Sequence, residues 1–143
     1  MSRLFETSRH IDAPPDKVWE VMVDVARWPE WTPTIDSVEL AHDGPLHVGS
    51  RAVVRQPKLP RATWEVTEVL DGRRFTWEAK GPGMSTVARH EVVPDRAGSK
   101  VTLSVEQKGP MGAVAAFVWR RLTQRYVELE AECLDRRVTG TTA

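Results

Sequence analysis

Six segments of alternating apolar and polar residues, separated by short turns, occupy residues 35–108 of this chain. Such alternation places every second side chain on the same face of a β-strand. The strongest turn signal is the Asp-Gly pair at residues 71–72, which predicts a hairpin between "ATWEVTEVL" and "FTWEAK". Residues 3–11 also alternate, so the sequence predicts a seven-stranded antiparallel sheet with one apolar face that another element must cover.

Two regions of the chain have helical spacing instead. After the first strand, "APPDKVWEVMVD" places Val18, Trp19 and Met22 on one side, and Pro15 suits the first helical turn. The following "ARWPEWTPT" is interrupted by prolines and predicts one further helical turn that ends near Trp31. These two short helices would close one end of the sheet.

The C-terminal region has the longest helical pattern. Apolar residues recur at steps of three and four from residue 111 to residue 138, which predicts one continuous helix. It is the only element large enough to cover the sheet. We therefore predict a single α+β domain, residues 1–143, in which the sheet wraps around this helix and encloses a hydrophobic cavity.

Charge and composition narrow the classes of protein. Lys and Arg total 20 and Asp and Glu total 20, which argues against a nucleic-acid partner and against attachment to anionic membranes by charge alone. The longest apolar run, "AVAAFVW", is far shorter than the roughly 20 residues of a membrane-spanning helix. With a single cysteine, Cys133, no internal disulfide can form. We expect a soluble cytoplasmic protein without an integral membrane segment, as a monomer or a homodimer.

Three stretches of the sequence carry a family resemblance. They are "IDAPPDKVWEVMVDVARWPEW" at residues 11–31, "VTEVLDGRRFTWEAKGPG" at residues 66–83 and "VVPDRAGSKVTLSV" at residues 92–105. They resemble the START-like, helix-grip superfamily, also called SRPBCC, and within it the polyketide cyclase/dehydrase-like branch. The resemblance implies the same sheet, helix and cavity. It also implies binding of lipids, sterols, polyketides, plant hormones or flavonoids, and in some members cyclisation or dehydration of aromatic polyketides.

The sequence contains no recognisable metal or cofactor motif. The four histidines lack zinc-type spacing, and there is neither a Gly-x-Ser-x-Gly elbow nor a glycine-rich phosphate loop. We therefore expect no metal and no cofactor.

Three polar residues are candidates for catalysis. His90 shares a strand face with apolar neighbours, so its imidazole could bind a ligand or act as a base inside the cavity. Arg89 and Arg121 could each hold a carboxylate or enolate. The alternative is a histidine satisfied by its own neighbours and two arginines on the surface, and the sequence leaves both interpretations open.

Apolar residues form the stronger candidate site. Trp64, Phe75 and Trp77 fall on one face of adjacent predicted strands, and the long helix would meet them. Of the pair Trp28 and Trp31, we expect Trp28 to serve mainly stability and Trp31 to touch the ligand. The predicted ligand-binding set is Trp31, Trp64, Phe75, Trp77, His90, Val118 and Leu122.

Three functions fit these patterns. The first is binding of a small hydrophobic molecule, of lipid, polyketide or aromatic type, in an internal cavity. The second is a polyketide cyclase/dehydrase-type enzyme, which needs an ionisable group inside that cavity. The third is a protein-interaction module, which a core without a pocket of roughly 300 Å³ would favour.

Overall fold

One seven-stranded antiparallel sheet forms the body of the protein. The computed structural model describes residues 3–140, so the remaining residues of the predicted domain lie outside it. The seven predicted strands are confirmed. Their bounds are β1 Arg3–Ile11, β2 Ser37–Leu40, β3 Arg51–Arg55, β4 Ala62–Leu70, β5 Arg74–Gly81, β6 Met84–Asp95 and β7 Gly98–Lys108. In the sheet they follow the order β1-β7-β6-β5-β4-β3-β2.

Two short helical elements follow β1, as predicted. Helix α1 is Pro15–Val23, and a 3₁₀ helix, Val25–Glu30, comes directly after it. The indole Nε1 of Trp28 donates to the carbonyl of Met22 over 3.1 Å, which ties the 3₁₀ helix back onto α1. This local bond explains why the proline-broken stretch folds as a compact plug rather than as an extended loop.

The predicted single C-terminal helix is instead two helices, α2 Pro110–Val118 and α3 Arg120–Thr139. Between them Trp119 has φ −105° and ψ 20°, outside the helical range. Spacing of apolar residues by three and four continues across such a break, so the sequence pattern does not detect an interruption at one residue. No helix among residues 3–140 is long and apolar enough to cross a bilayer.

Helix α3 covers the inner face of the sheet. Four of its buried residues recur at steps of three and four, Val127, Ala131, Leu134 and Val138, and Cys133 is buried as well. On the opposite face of the sheet, charged side chains pair across strands, for example Arg74 with Glu68 at 2.9 Å. The core therefore lies between the sheet and α3, which confirms the helix-grip fold.

Candidate functional site

Aromatic rings cluster on the inner face of the sheet beneath α3. Strand register places Phe75 of β5 directly opposite His90 of β6. The two rings stack with 4.3 Å between centroids and 9° between planes. Trp28 reaches in from the 3₁₀ helix, 5.2 Å from the His90 ring and 5.4 Å from Trp77, while Trp64 lies 5.6 Å from Trp77. The cluster therefore encloses an imidazole within apolar rings.

A cavity of about 60 Å³ lies between this cluster and α3. It holds only a few atoms of the size of a water molecule, well below the roughly 300 Å³ expected of a site for a drug-sized ligand. The internal cavity is thus present but small. Its lining residues are Trp28, Ile35, Val54, Gln56, Trp64, Trp77, Ala88, Arg89, His90, Leu103, Ser104, Val105, Val127 and Glu130.

His90 presents an unused polar atom to this environment. Its side chain is buried, and Nδ1 has no hydrogen-bond partner within residues 3–140. Burial lowers the pKa of His90 to about 4, partly opposed by a backbone hydrogen bond with Phe75. The imidazole is therefore neutral at physiological pH. A buried polar nitrogen without a partner is costly, and a ligand carrying a polar group would relieve that cost.

Glu130 contributes a carboxyl to the cavity, and it was not among the residues predicted from the sequence. The hydroxyl of Thr34 donates to Glu130 Oε1 over 2.9 Å, and no Lys or Arg of the described chain forms an ion pair with this carboxyl. Burial raises the pKa of Glu130 to about 7, and the Thr34 hydrogen bond opposes the shift. Its position three residues after Val127 and four before Leu134, within an apolar stripe, was the available sequence signal.

One hydrogen bond beside this cavity joins α3 to the segment between β3 and β4. The Tyr126 hydroxyl on α3 donates to the Pro57 carbonyl in that segment.

One turn before Tyr126 lies a second, open depression of about 550 Å³ on the outer surface. Its lining residues are Lys58, Val118, Trp119, Arg120, Arg121 and Leu122.

The structure places the predicted aromatic residues on the inner face. Trp64 and Trp77 line the cavity, and Phe75 lies behind His90 without reaching the space itself. Trp31 is only partly buried and contacts Trp28 at 6.1 Å. The expected positions of the tryptophan pair are thus reversed, because the 3₁₀ helix turns Trp28 inward.

The predicted helix residues do not reach the cavity. Val118 and Leu122 line the outer depression, and Val118 is 61% exposed. Their expected position was wrong because the predicted continuous helix is interrupted at Trp119. Arg121 is exposed at the same depression. Arg89 is among the residues that line the cavity, but its guanidinium is engaged by Glu106 at 3.1 Å.

Metal ligands do not assemble at this site or elsewhere in the described chain. Within residues 3–140, no group of three or more His, Cys, Asp or Glu side chains is arranged to hold an ion. The cavity brings together one imidazole, one carboxyl and the aromatic rings around them, and Gln56, Arg89 and Ser104 are its other polar lining residues.

The chain belongs to the polyketide cyclase/dehydrase and lipid transport family, whose model matches residues 2–139. This agrees with the resemblance on the three sequence stretches and with the helix-grip fold. No curated protein matches the sequence.

Solved structures share the fold at low sequence identity. Norcoclaurine synthase from Thalictrum flavum, in complex with dopamine and hydroxybenzaldehyde, is similar with 16% identity and a TM-score of 0.76, covering 100% of this chain and 90% of that one. The protein TTHA0849 from Thermus thermophilus has 18% identity and a TM-score of 0.76, with 99% and 100% covered. Ara h 8.0201 has 14% identity and a TM-score of 0.70, with 99% and 100% covered.

Proposed function

We propose that this protein binds a small, mainly apolar and aromatic molecule between the sheet and α3, with one polar group of the ligand on His90 Nδ1. The observation that carries the proposal is the buried Nδ1 atom without a partner in the described chain, enclosed by the rings of Trp28, Phe75 and Trp77. Rings supply apolar surface for stacking, and a single polar contact orients the ligand. The aromatic compounds bound to norcoclaurine synthase support this class of ligand.

The enclosed cavity is below the roughly 300 Å³ under which a protein-interaction module is favoured, so the binding proposal carries a condition. Because only about 60 Å³ is enclosed, a ligand of more than a few atoms requires α3 or the neighbouring loops to move away from the sheet. The Tyr126–Pro57 contact is the connection that would open. Binding is then coupled to opening, which lowers the apparent affinity in proportion to the population of the open state.

Titration of the intrinsic tryptophan fluorescence tests this proposal. The panel comprises fatty acids, sterols, phenols and aromatic ketones, with ¹⁵N resonances of labelled histidines recorded in parallel. We expect quenching by aromatic compounds and a shift of the His90 Nδ1 resonance. His90→Phe keeps an aromatic ring but removes both ring nitrogens, and it should weaken binding up to about tenfold, the value of one hydrogen bond.

The control is His42→Phe, at an exposed position in the β2–β3 segment, which should leave the affinity unchanged. If no compound alters the fluorescence or the His90 resonance of the folded protein, the proposal is refuted.

We expect this binding to take place in the cytoplasm, as the composition predicts, and cell fractionation checks that location.

A cyclase/dehydrase activity is the second candidate function, and one observation favours it. Glu130 and His90 line the same cavity from opposite sides, with the pKa of the carboxyl raised to about 7 and that of the imidazole lowered to about 4. Such a pair can divide the acid and base roles. In a dehydration, His90 would accept a proton from the carbon next to a ketone while Glu130 protonates the departing hydroxyl, which leaves as water.

Product analysis separates the enzyme from the binder. A short β-hydroxy ketone with an aromatic substituent is incubated with the protein, and loss of water is followed by mass spectrometry. Glu130→Gln should reduce the rate by about 10² or more while the substrate still binds. Binding without any turnover would exclude the enzymatic function and leave the binding function intact.

A further inference from the structure

Helix α2 has the opposite arrangement from an ordinary surface helix. Its buried residues are the small ones, Gly112, Ala115 and Ala116. A Cβ added to Gly112 would lie 3.3 Å from the Gln107 backbone, so the helix packs very close to β7. The large apolar residues point outward, and their exposed fractions are 49% for Met111, 51% for Val114, 67% for Phe117 and 61% for Val118.

Most exposed apolar side chains of the described protein gather at this end. Helix α2 holds four of the seven large hydrophobic residues that are exposed within residues 3–140. A fifth, Leu4, belongs to the same end, because it pairs with Glu106 near the close of β7. Single exposed apolar residues are ordinary, but a concentration on one helix marks an interaction surface.

The same end of the protein is basic. Three chain segments meet there, residues 56–64, 79–90 and 107–127. Together they contain eight of the twenty Lys and Arg residues, while Glu65, Glu78, Glu106 and Glu128 directly adjoin the segments and Glu106 pairs with Arg89 at 3.1 Å. Two contacts hold the segments together, Met111 N–H to the Gly83 carbonyl at 3.1 Å and Tyr126 to Pro57. This end of the protein therefore carries a local excess of cations despite the zero net charge of the chain.

The basic and apolar groups also meet at short range. The guanidinium of Arg120 lies 4.5 Å from the centre of the Phe117 ring and donates to the Phe117 carbonyl over 2.7 Å. Arg120, Arg121 and Lys58 line the open depression next to the exposed Val118. The surface thus combines an apolar ridge with a cationic border.

We propose that the α2 end of the protein docks on the surface of an anionic lipid bilayer, with α2 lying in the interface between headgroups and acyl chains. A helix binds at a membrane interface through burial of its apolar side chains and through attraction of its cations to anionic lipids, and α2 with its border offers both. The overall neutrality does not oppose this, because only charges within a Debye length of about 8 Å of the membrane contribute.

Two other occupants fit these observations less well. A second copy of the chain would bring the same cations face to face. Nucleic acid would contact the cations but leave the convex apolar ridge without a partner. Docking on lipid does not depend on the proposed ligand, although it would place the open depression against the membrane.

Vesicle co-sedimentation of the full chain tests the proposal. The probes are phosphatidylcholine vesicles with and without phosphatidylserine, at low and at physiological salt. We expect binding to the vesicles that contain phosphatidylserine and weaker binding as the salt concentration rises. Phe117→Ser should lower the partition coefficient about tenfold through lost apolar burial, and each of Arg120→Gln and Arg121→Gln about fivefold, equivalent to ~1 kcal/mol per charge.

Matched controls come from the remainder of the surface. Val48→Ser removes an apolar side chain that is 61% exposed at another site, and Arg136→Gln removes an exposed cation near the far end of α3. Both should bind vesicles like the parent protein. Circular dichroism and urea unfolding verify that every variant is folded.

Three results would overturn the proposal: no binding to phosphatidylserine vesicles, equal binding to both kinds of vesicle, or equal losses in the α2 variants and the controls. Sedimentation velocity adds a fourth. If the parent protein is a dimer that Phe117→Ser converts to monomers, and neither binds vesicles, the surface serves a second copy of the chain instead.

Discussion

Helices α2 and α3 are consecutive in the chain but use their surfaces in opposite ways. Helix α3 buries Val127, Leu134 and other apolar residues against the sheet. Helix α2 buries glycine and alanine and exposes Phe117 and Val118. The distance to the sheet explains the difference, because α2 approaches so closely that only small residues fit beneath it. An apolar stripe in a sequence therefore shows that a helix forms, but not which of its sides is covered.

The largest expected effect contrasts the two helices directly. Leu134→Ala should lower the free energy of unfolding by about 2–5 kcal/mol, because it leaves a cavity beneath α3. Phe117→Ala on α2 should change it by less than about 0.5 kcal/mol, because that ring is exposed. Urea denaturation followed by circular dichroism measures both. Similar losses in the two variants would show that α2 is packed against the protein and not presented to a partner.

The second prediction separates the contributions of α3 and the sheet by pH. The pKa of Glu130 is about 7 in the folded protein, compared with 4.5 for an ordinary glutamate in the unfolded chain. Between these two pH values the folded state retains a proton that the unfolded chain has lost. The contribution of Glu130 to the free energy of unfolding therefore falls as the pH rises from 4.5 to 7. His90, with its pKa lowered from 6.5 to about 4, acts in the opposite direction, and stability from it rises between pH 4 and 6.5.

The pH dependences that Glu130 and His90 give to the free energy of unfolding offset one another in the parent protein. Variants that remove only one of the two groups should reveal each dependence. Relative to the parent, Glu130→Gln should gain stability with rising pH and His90→Phe should lose it, each by up to about 3 kcal/mol across its window. Urea unfolding at a series of pH values measures the differences. Glu128→Gln, at an exposed position on α3, is the control and should run parallel to the parent. Flat difference curves for both cavity variants would contradict the burial of these groups.

The third prediction concerns the tryptophan pair at the edge of the region that α3 covers. Trp28→Phe should weaken binding of an aromatic ligand more than Trp31→Phe, by about 1 kcal/mol, because Trp28 lines the cavity and Trp31 does not. Calorimetric titration gives the dissociation constants of both. A larger effect at Trp31 would support the sequence-based prediction that Trp31 touches the ligand, and it would contradict a binding site lined by Trp28.

The smallest effect is expected where α3 meets the β3–β4 segment. Tyr126→Phe removes the hydrogen bond to Pro57 and should cost about 1 kcal/mol of stability. If this contact closes the cavity, the variant should also bind ligands faster, which stopped-flow fluorescence measures. Gln124→Glu, on the same helix, changes a partly buried side chain away from this contact and tests whether any change in α3 accelerates binding. Unchanged association rates would mean that the cavity opens elsewhere.

The sequence predicted the inner face of the sheet well. Strand alternation alone identified Trp64, Trp77 and His90 as inward-facing residues, since period two leaves few alternatives once a turn is located. The Asp-Gly turn supplied that location, and the structure follows it closely. In contrast, Glu130 was missed because a carboxylate on a helix is usually solvated, and its hydrogen-bond partner in the cavity, Thr34, lies 96 residues away in the chain.

Local patterns in the chain were enough to predict the set of elements: seven strands, two short helices after the first strand, and helical structure at the C-terminus. These follow from periodicity and turn chemistry, which act between residues a few positions apart. Tertiary structure alone decided the break at Trp119, the inward rotation of Trp28, the size of the cavity and the exposed ridge of α2. Each depends on how closely a helix approaches the sheet, a distance set by side-chain volumes that meet only in the folded protein.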